Sequence, residues 1–145
     1  MALDHNLPAI VHCRDKNSAE EAYQNTFTLL ADFAKNGGKF VLHCYTGTTY
    51  WAEKFLSLGG YLGITGIVTF PKAQNVRDVL QIIPNNRLLI ETDTPYLAPI
   101  PKRGKTNHSK YLPFIVEKIA DEKNLEIDDL ILLTTENAKS LFEIS

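Results

Sequence analysis

Three short apolar segments of this chain each run directly into a histidine or an aspartate. In chain order they are residues 7–11 before His12, 39–42 before His43, and 88–90 before Glu91-Thr92-Asp93. Apolar runs of this length, bounded by polar residues and breakers, are typical of strands buried on both faces of a parallel sheet. Because α/β proteins keep their chemistry at the carboxyl ends of such strands, the repeated pattern predicts one shared site.

Helical periodicity fills the intervals between these segments. It predicts a third strand at residues 61–64 and helices at residues 18–35, 48–58, 74–83, 111–123 and 128–142, the last broken near Thr135. Ser18 is the expected N-cap of the first helix. Alternating strands and helices predict right-handed crossovers and an α/β fold with a parallel sheet. Four such units form either a small open sheet or half of a closed eight-unit barrel, which needs about 250 residues.

The composition is that of an ordinary soluble globular protein. The 145 residues are 44% hydrophobic and 22% charged with a net charge of −2, which predicts one domain over residues 1–145. Without an overall basic field, any nucleic-acid contact must come from a local patch. No apolar run reaches membrane-spanning length and no signal-peptide pattern occurs, so the expectation is a cytoplasmic protein without membrane contact. Cys13 and Cys44 are expected as free thiols, with a disulfide between them as the alternative.

His12 and His43 are candidate metal ligands. Each alone could be a core histidine with satisfied hydrogen bonds, but two at equivalent strand ends favour a metal site. Neutral imidazoles suit zinc, manganese and other divalent ions. A catalytic metal needs about three protein ligands and an open position for water. With Asp93, the two histidines would supply that number.

Asp93 is the candidate catalytic residue. The alternative is a structural role, because Asp-Thr-Pro is a common turn opening. As a catalytic group it would hold a metal, accept a proton from the attacking water, or do both, and a metal-bound water ionises near neutral pH. Glu91 lies on the same side of its strand as Asp93. We interpret it as a support that orients a ligand histidine and not as a ligand.

Three basic residues are candidates for binding phosphate. Arg14 shares the strand face of His12 and could bind phosphate through two hydrogen bonds, or form a salt bridge with Asp15. Lys102 and Arg103 lie on the polar loop after the last strand, where a cluster of charges can also be merely solvated. Three aromatic residues could stack on bases, although Trp51 is better explained by packing in the core or at the rim. They are Tyr45, Trp51 and Tyr96.

Five motifs spread over nearly the whole chain resemble those of the TatD family of metal-dependent hydrolases. They are PAIVHCRD at 8–15, VLHCYTG at 41–47, LLIETDTPYLAP at 88–99, RGKTN at 103–107 and TENAKSLF at 135–142. The resemblance implies an amidohydrolase-like (β/α)8 barrel. It also implies a deoxyribonuclease that hydrolyses phosphodiester bonds with divalent zinc, magnesium or manganese. At His108, where the family usually has Glu-Pro, the chain departs from the pattern.

The resemblance is to strands five to eight only, the carboxyl-terminal half of the family barrel. The family's His-x-His motif and its Gly-Glu-x-Gly-Leu-Asp-like motif do not occur in this chain. In the family, the two histidines of the first motif, the glutamate of the second motif and the acid at Asp93 hold one metal. The same glutamate and the residues at His12 and His43 hold a second metal. The resemblance therefore implies two metals in a full-length member and a partial set of ligands here.

Two functions follow as alternatives. One is a hydrolase acting on DNA or another phosphodiester. The other is a catalytically incomplete fragment that serves as a non-enzymatic or assembly module. In either case the expected partner is the missing amino-terminal half, or a second copy that closes a barrel as a homodimer.

Overall fold

A four-stranded parallel sheet forms the centre of the computed structural model, which describes residues 1–15 and 20–144. The strands are β1 (Ala9–His12), β2 (Phe40–His43), β3 (Tyr61–Ile64) and β4 (Leu88–Ile90). They lie side by side in chain order, and each neighbouring pair is parallel. All four carboxyl ends therefore lie at one edge, which confirms the predicted α/β fold.

Helices follow the strands at the positions that the periodicity predicts. They are α1 (Glu21–Lys35), α2 (Thr49–Ser57), α3 (Gln74–Ile82), α4 (Leu112–Lys123) and α5 (Ile127–Phe142). The predicted cap Ser18 lies outside the described residues. Within them, Asp15 Oδ2 accepts a hydrogen bond of 2.7 Å from the Ala22 N–H in the first turn of α1. No helix among those described is long and apolar enough to cross a membrane.

Helix α5 is continuous through the position where a break was predicted, so that prediction is wrong. The Thr134 hydroxyl donates to the Leu130 carbonyl at 2.9 Å, within the helix itself. Asn137 is buried, and its amide donates to the carbonyls of Asn85 and Leu88 at 2.7 and 2.8 Å. Thr134 and Asn137, on either side of the predicted break, therefore find partners without interrupting the helix.

The two faces of the sheet bury their side chains differently. On the outer face, Leu42 and Leu62 pack in the large core that also contains residues of α1 to α4. The opposite side, here called the inner face, carries Val41, Tyr61 and Leu89, which are packed against Leu141 near the end of α5. Helix α5 thus closes the inner face beneath β2, β3 and β4.

The inner face remains open at β1. Ile10 pairs in register with Val41, so both side chains lie on the inner face. Val41 is 3% exposed, whereas Ile10 is 66% exposed. Nothing in the described part of the chain covers β1 as α5 covers its neighbours.

Candidate functional site

The two predicted ligand histidines lie side by side at the ends of β1 and β2. His12 and His43 are register partners, and their ring centroids are 5.9 Å apart. His12 is exposed, whereas the His43 side chain is only 25% exposed. Adjacent parallel strands therefore bring the pair together, as the strand-end pattern predicts.

The His43 ring lies between two carboxylates. Its Nδ1 is 2.8 Å from Glu91 Oε2, and its Nε2 is 3.0 Å from Asp93 Oδ1. Burial lowers the pKa of His43, but the hydrogen bonds and negative charges of Glu91 and Asp93 outweigh it. The pKa of His43 is therefore raised above its ordinary value.

Glu91 holds both the side chain of His43 and the backbone that follows it. While Oε2 contacts the ring, Oε1 accepts a hydrogen bond from the Cys44 N–H. To reach β2 from the end of β4, the carboxylate passes over Gly63 of β3. A Cβ atom on Gly63 would lie 2.6 Å from Glu91 Oε1, so only glycine leaves room there. Glu91 thus supports a histidine, as the alternation along the strand suggests.

The loop after β4 fixes Asp93 in an unusual conformation. Asp93 has a φ of 57°, a left-handed value that costs energy for a residue with a side chain. Asn107, which is fully buried, donates to the carbonyls of Thr92 and Tyr96 at 2.7 Å each. These bonds clamp the loop on both sides of Asp93. Asn107 was not predicted as a site residue, and only its place in the RGKTN motif signals it.

The donor atoms suit a divalent metal, but the set is partial. Two ligand atoms each about 2.0 to 2.2 Å from one tetrahedral zinc ion lie roughly 3.3 to 3.6 Å apart. His43 Nε2 and Asp93 Oδ1 are 3.0 Å apart, a hydrogen-bond distance slightly shorter than that separation. Within residues 1–15 and 20–144, however, no group of three or more His, Cys, Asp and Glu side chains is placed to hold a metal ion.

A cleft of about 840 Å³ opens beside these residues. Polar, basic and aromatic side chains that line it include His12, Arg14, Asp93, Phe70, Tyr96 and Arg103. Two of the three predicted phosphate-binding residues therefore lie in one cleft with two of the three candidate ligands, His12 and Asp93, whereas His43 is not among the lining residues. Lys102 is not among the lining residues, and its ammonium lies 5.9 Å from the ring centres of both Tyr111 and Phe114.

The cysteines and aromatic residues divide between core and cleft. Cys13 and Cys44 are both free, and burial raises the pKa of each thiol. Tyr45 and Trp51 are 2% and 3% exposed, so neither can stack on a base. The prediction was therefore wrong for Tyr45, and the core interpretation of Trp51 is confirmed. Tyr96 is 70% exposed and lines the cleft.

Comparison with known sequences finds relatives over the full length of the chain. A family model described as "TatD related DNase" matches residues 1–143. The chain is 39% identical over all its residues to an uncharacterized metal-dependent hydrolase, YabD, of Bacillus subtilis (strain 168), and covers 54% of it. It is 37% identical over its full length to the 3'-5' ssDNA/RNA exonuclease TatD of Escherichia coli (strain K12), covering 55%. The chain thus spans about half the length of these relatives.

Solved structures give the same result. The crystal structure of YJJV, a TatD homolog from Escherichia coli K12, superposes with a TM-score of 0.87 at 25% identity. The match covers 99% of this chain and 53% of that one. A TatD family hydrolase from Entamoeba histolytica has a TM-score of 0.79 at 21% identity, with 97% and 52% covered. The fold is that of part of these hydrolases.

Proposed function

Because the chain belongs to the TatD-related DNase family, we propose that it forms strands five to eight of a (β/α)8 barrel that hydrolyses phosphodiester bonds in DNA. Four consecutive parallel strands are half of such a barrel. The coverage of about half of each relative supports the same assignment. The name of the Escherichia coli relative, a 3'-5' ssDNA/RNA exonuclease, supports a nucleic-acid substrate.

The observation that carries this proposal is the contact between His43 and Asp93, beside a cleft that Asp93 and His12 line. In the proposal, His12, His43 and Asp93 would contribute donors to a site for divalent zinc, magnesium or manganese. Such an ion would supply an activated water as the nucleophile. Asp93 would offer its carboxylate as the acceptor for a proton of that water. Glu91 keeps the His43 ring in place through Nδ1, as carboxylates commonly do for ligand histidines.

The basic residues position the substrate. Arg14 and Arg103 line the cleft, where their guanidinium groups can donate paired hydrogen bonds to a phosphodiester. Lys102 lies on the same loop as Arg103 and adds positive charge that attracts the phosphate backbone. The net charge of −2 leaves this local cluster as the feature that would draw nucleic acid.

Two observations favour a second candidate, a catalytically incomplete module. The described residues do not complete a set of metal donors, and the inner face is open at β1. Both features would be resolved by a partner that supplies strands and donors. That partner is either the amino-terminal half found in longer relatives or a second copy of this chain. In a homodimer, a two-fold axis parallel to the strands would place β4 of each copy beside β1 of the other.

Metal content and nuclease activity of the purified chain separate the two candidates. The hydrolase predicts cleavage of single-stranded DNA that requires added zinc, magnesium or manganese and is abolished in Asp93→Asn. The matched control is Glu143→Gln, which removes a carboxylate that pairs with Lys39 outside the cleft. Less than stoichiometric metal together with no cleavage would support the incomplete module. A monomer in light scattering would exclude closure by a second copy.

A further inference from the structure

We propose that Arg103 and Phe70 form a platform on which one unpaired base of a single-stranded nucleic acid stacks beside the candidate metal ligands. The proposal rests on the proposed function, since it assigns a base-binding position within the same cleft. It gives Arg103 a role distinct from that of a simple phosphate ligand.

Arg103 and Phe70 are in cation–π contact. The guanidinium carbon of Arg103 lies 4.4 Å over the ring centre of Phe70. Arg103 is exposed and lines the cleft. It forms no ion pair with an acid within residues 1–15 and 20–144. The exposed guanidinium is therefore accessible from the cleft to a second planar group.

Arg77 holds the segment that carries Phe70. Its Nη1 donates to the carbonyls of Val68 and Phe70 at 3.2 and 2.9 Å, and its Nη2 donates to that of Pro71 at 3.2 Å. Three carbonyls within the four-residue segment 68–71 are thus held by one side chain of α3. The backbone that carries Phe70 is fixed before any ligand arrives, which limits the ordering cost of binding.

The loop that carries Arg103 is tied to the same segment. The Ile100 N–H donates to Thr69 Oγ1 at 3.0 Å. At Gly66 the two backbones approach so closely that a Cβ atom would lie 2.3 Å from the Leu97 carbonyl oxygen. Arg103 and Phe70 are 33 positions apart in sequence, yet these contacts hold their segments together as one wall of the cleft.

The position of the platform suits a base next to a phosphate. Arg14 and Asp93 line the same cleft, and exposed Tyr96 adds a second aromatic surface. Bases in a duplex are already stacked on their neighbours, whereas an unpaired base offers its face to a side chain. Stacking of this kind is tolerant of base identity. The platform therefore selects single strands by their unpaired bases and not by sequence.

The test is a binding measurement without metal. Fluorescence anisotropy, with a chelator present, compares a labelled single-stranded oligothymidylate with strands in which one nucleotide at a time is abasic. The variants are Arg103→Lys, which keeps the charge and loses the plane, and Phe70→Leu. The matched control is Lys54→Ala, which removes a cation 5.5 Å over the Tyr50 ring outside the cleft.

We expect the wild-type chain to bind the intact strand about 5-fold or more tightly than the strand lacking the stacked base. Arg103→Lys and Phe70→Leu should bring that ratio close to one, whereas Lys54→Ala should keep it. A ratio retained in Arg103→Lys, or no ratio in the wild type, would overturn the platform. Absence of cleavage with the ratio intact would count against the hydrolase alone, because the binding assay needs no catalysis.

Discussion

The inner face of the sheet is covered by α5 at β2 to β4 and is uncovered at β1. Val41, Tyr61 and Leu89 are 3%, 7% and 8% exposed beneath the end of α5, whereas Ile10 on β1 is 66% exposed. The site residues above them follow the same division. His43 is held by two carboxylates, and neighbouring His12 is exposed. The side of the sheet that α5 covers therefore also carries the preformed hydrogen bonds of His43 with Glu91 and Asp93.

The difference indicates where a partner would act. An uncovered edge strand with an apolar inner side chain is a surface suited to another strand. In the proposed function, further metal donors would enter on this side, next to His12. The covered side, at β2 to β4, would then provide the fixed half of the site, and the partner would order the β1 side.

The largest effect on stability should come from Leu141, which covers the inner face at β2 to β4. Leu141→Ala removes a fully buried side chain and should lower the free energy of unfolding by about 2 to 5 kcal/mol. Ile10→Ala, on the open side, should change it by about 0.5 kcal/mol or less. Urea denaturation of both variants measures the contrast. Equal losses would show that β1 is covered in solution, as a second copy would cover it.

A smaller loss is expected at the loop that carries Asp93. Asn107→Ala leaves the carbonyls of Thr92 and Tyr96 without the donor of a fully buried amide, which should cost roughly 2 kcal/mol. The matched control is Asn75→Ala, since Asn75 is exposed and donates a single bond to the Thr46 carbonyl. Thermal unfolding compares the two. Similar melting temperatures for both variants would mean that the loop does not depend on Asn107.

The next prediction concerns whether the absence of a side chain at Gly63 makes room for the Glu91 carboxylate. Gly63→Ala should destabilise the chain by about 1 to 3 kcal/mol, because the new methyl group displaces the carboxylate. In the double variant with Glu91→Ala the clash is gone, so the two changes should cost less together than their sum. A double-mutant cycle from denaturation data measures this coupling. Additive losses of stability would show that Gly63 and Glu91 are not energetically coupled.

The subtlest test concerns protonation of His43 in the metal-free chain. Its raised pKa means that the folded state binds the proton more tightly than the unfolded state does. The resulting stability is fully present below the unfolded pKa of about 6.5 and is lost as the pH rises through the folded value. NMR titration should show the raised pKa, lowered more by Glu91→Gln than by Asp93→Asn. The opposite order would make Asp93 the stronger partner.

Local patterns predicted most of the fold. Strand β3 begins and ends where the sequence indicates, and α2 and α3 differ from the predicted helices by a residue or so. These elements were predictable because apolar periodicity acts over a few residues. The predicted break in α5 failed because Asn137 finds its partners on β4 and the turn before it, which local propensity cannot register.

The site was predictable only at its strand ends. His12, His43 and Asp93 could be singled out because each follows an apolar run. Gly63 and Arg77 carry no such signal, since their roles are set by an approaching carboxylate and by carbonyls of another segment. Tyr45 looked available for stacking, yet the structure buries it. The burial of Tyr45 depends on how the helices pack against the sheet, which the local sequence does not specify.

By itself, the sequence determined the order of strands and helices and the polar residue that ends each strand. Strand periodicity and parallel pairing then require those residues to share one edge. Only the tertiary structure decided that Glu91 crosses β3 to hold His43, and that α5 closes the inner face at β2 to β4 while β1 stays open. Such contacts join residues some 50 positions apart and depend on register, close backbone approach and packing, which no local pattern specifies.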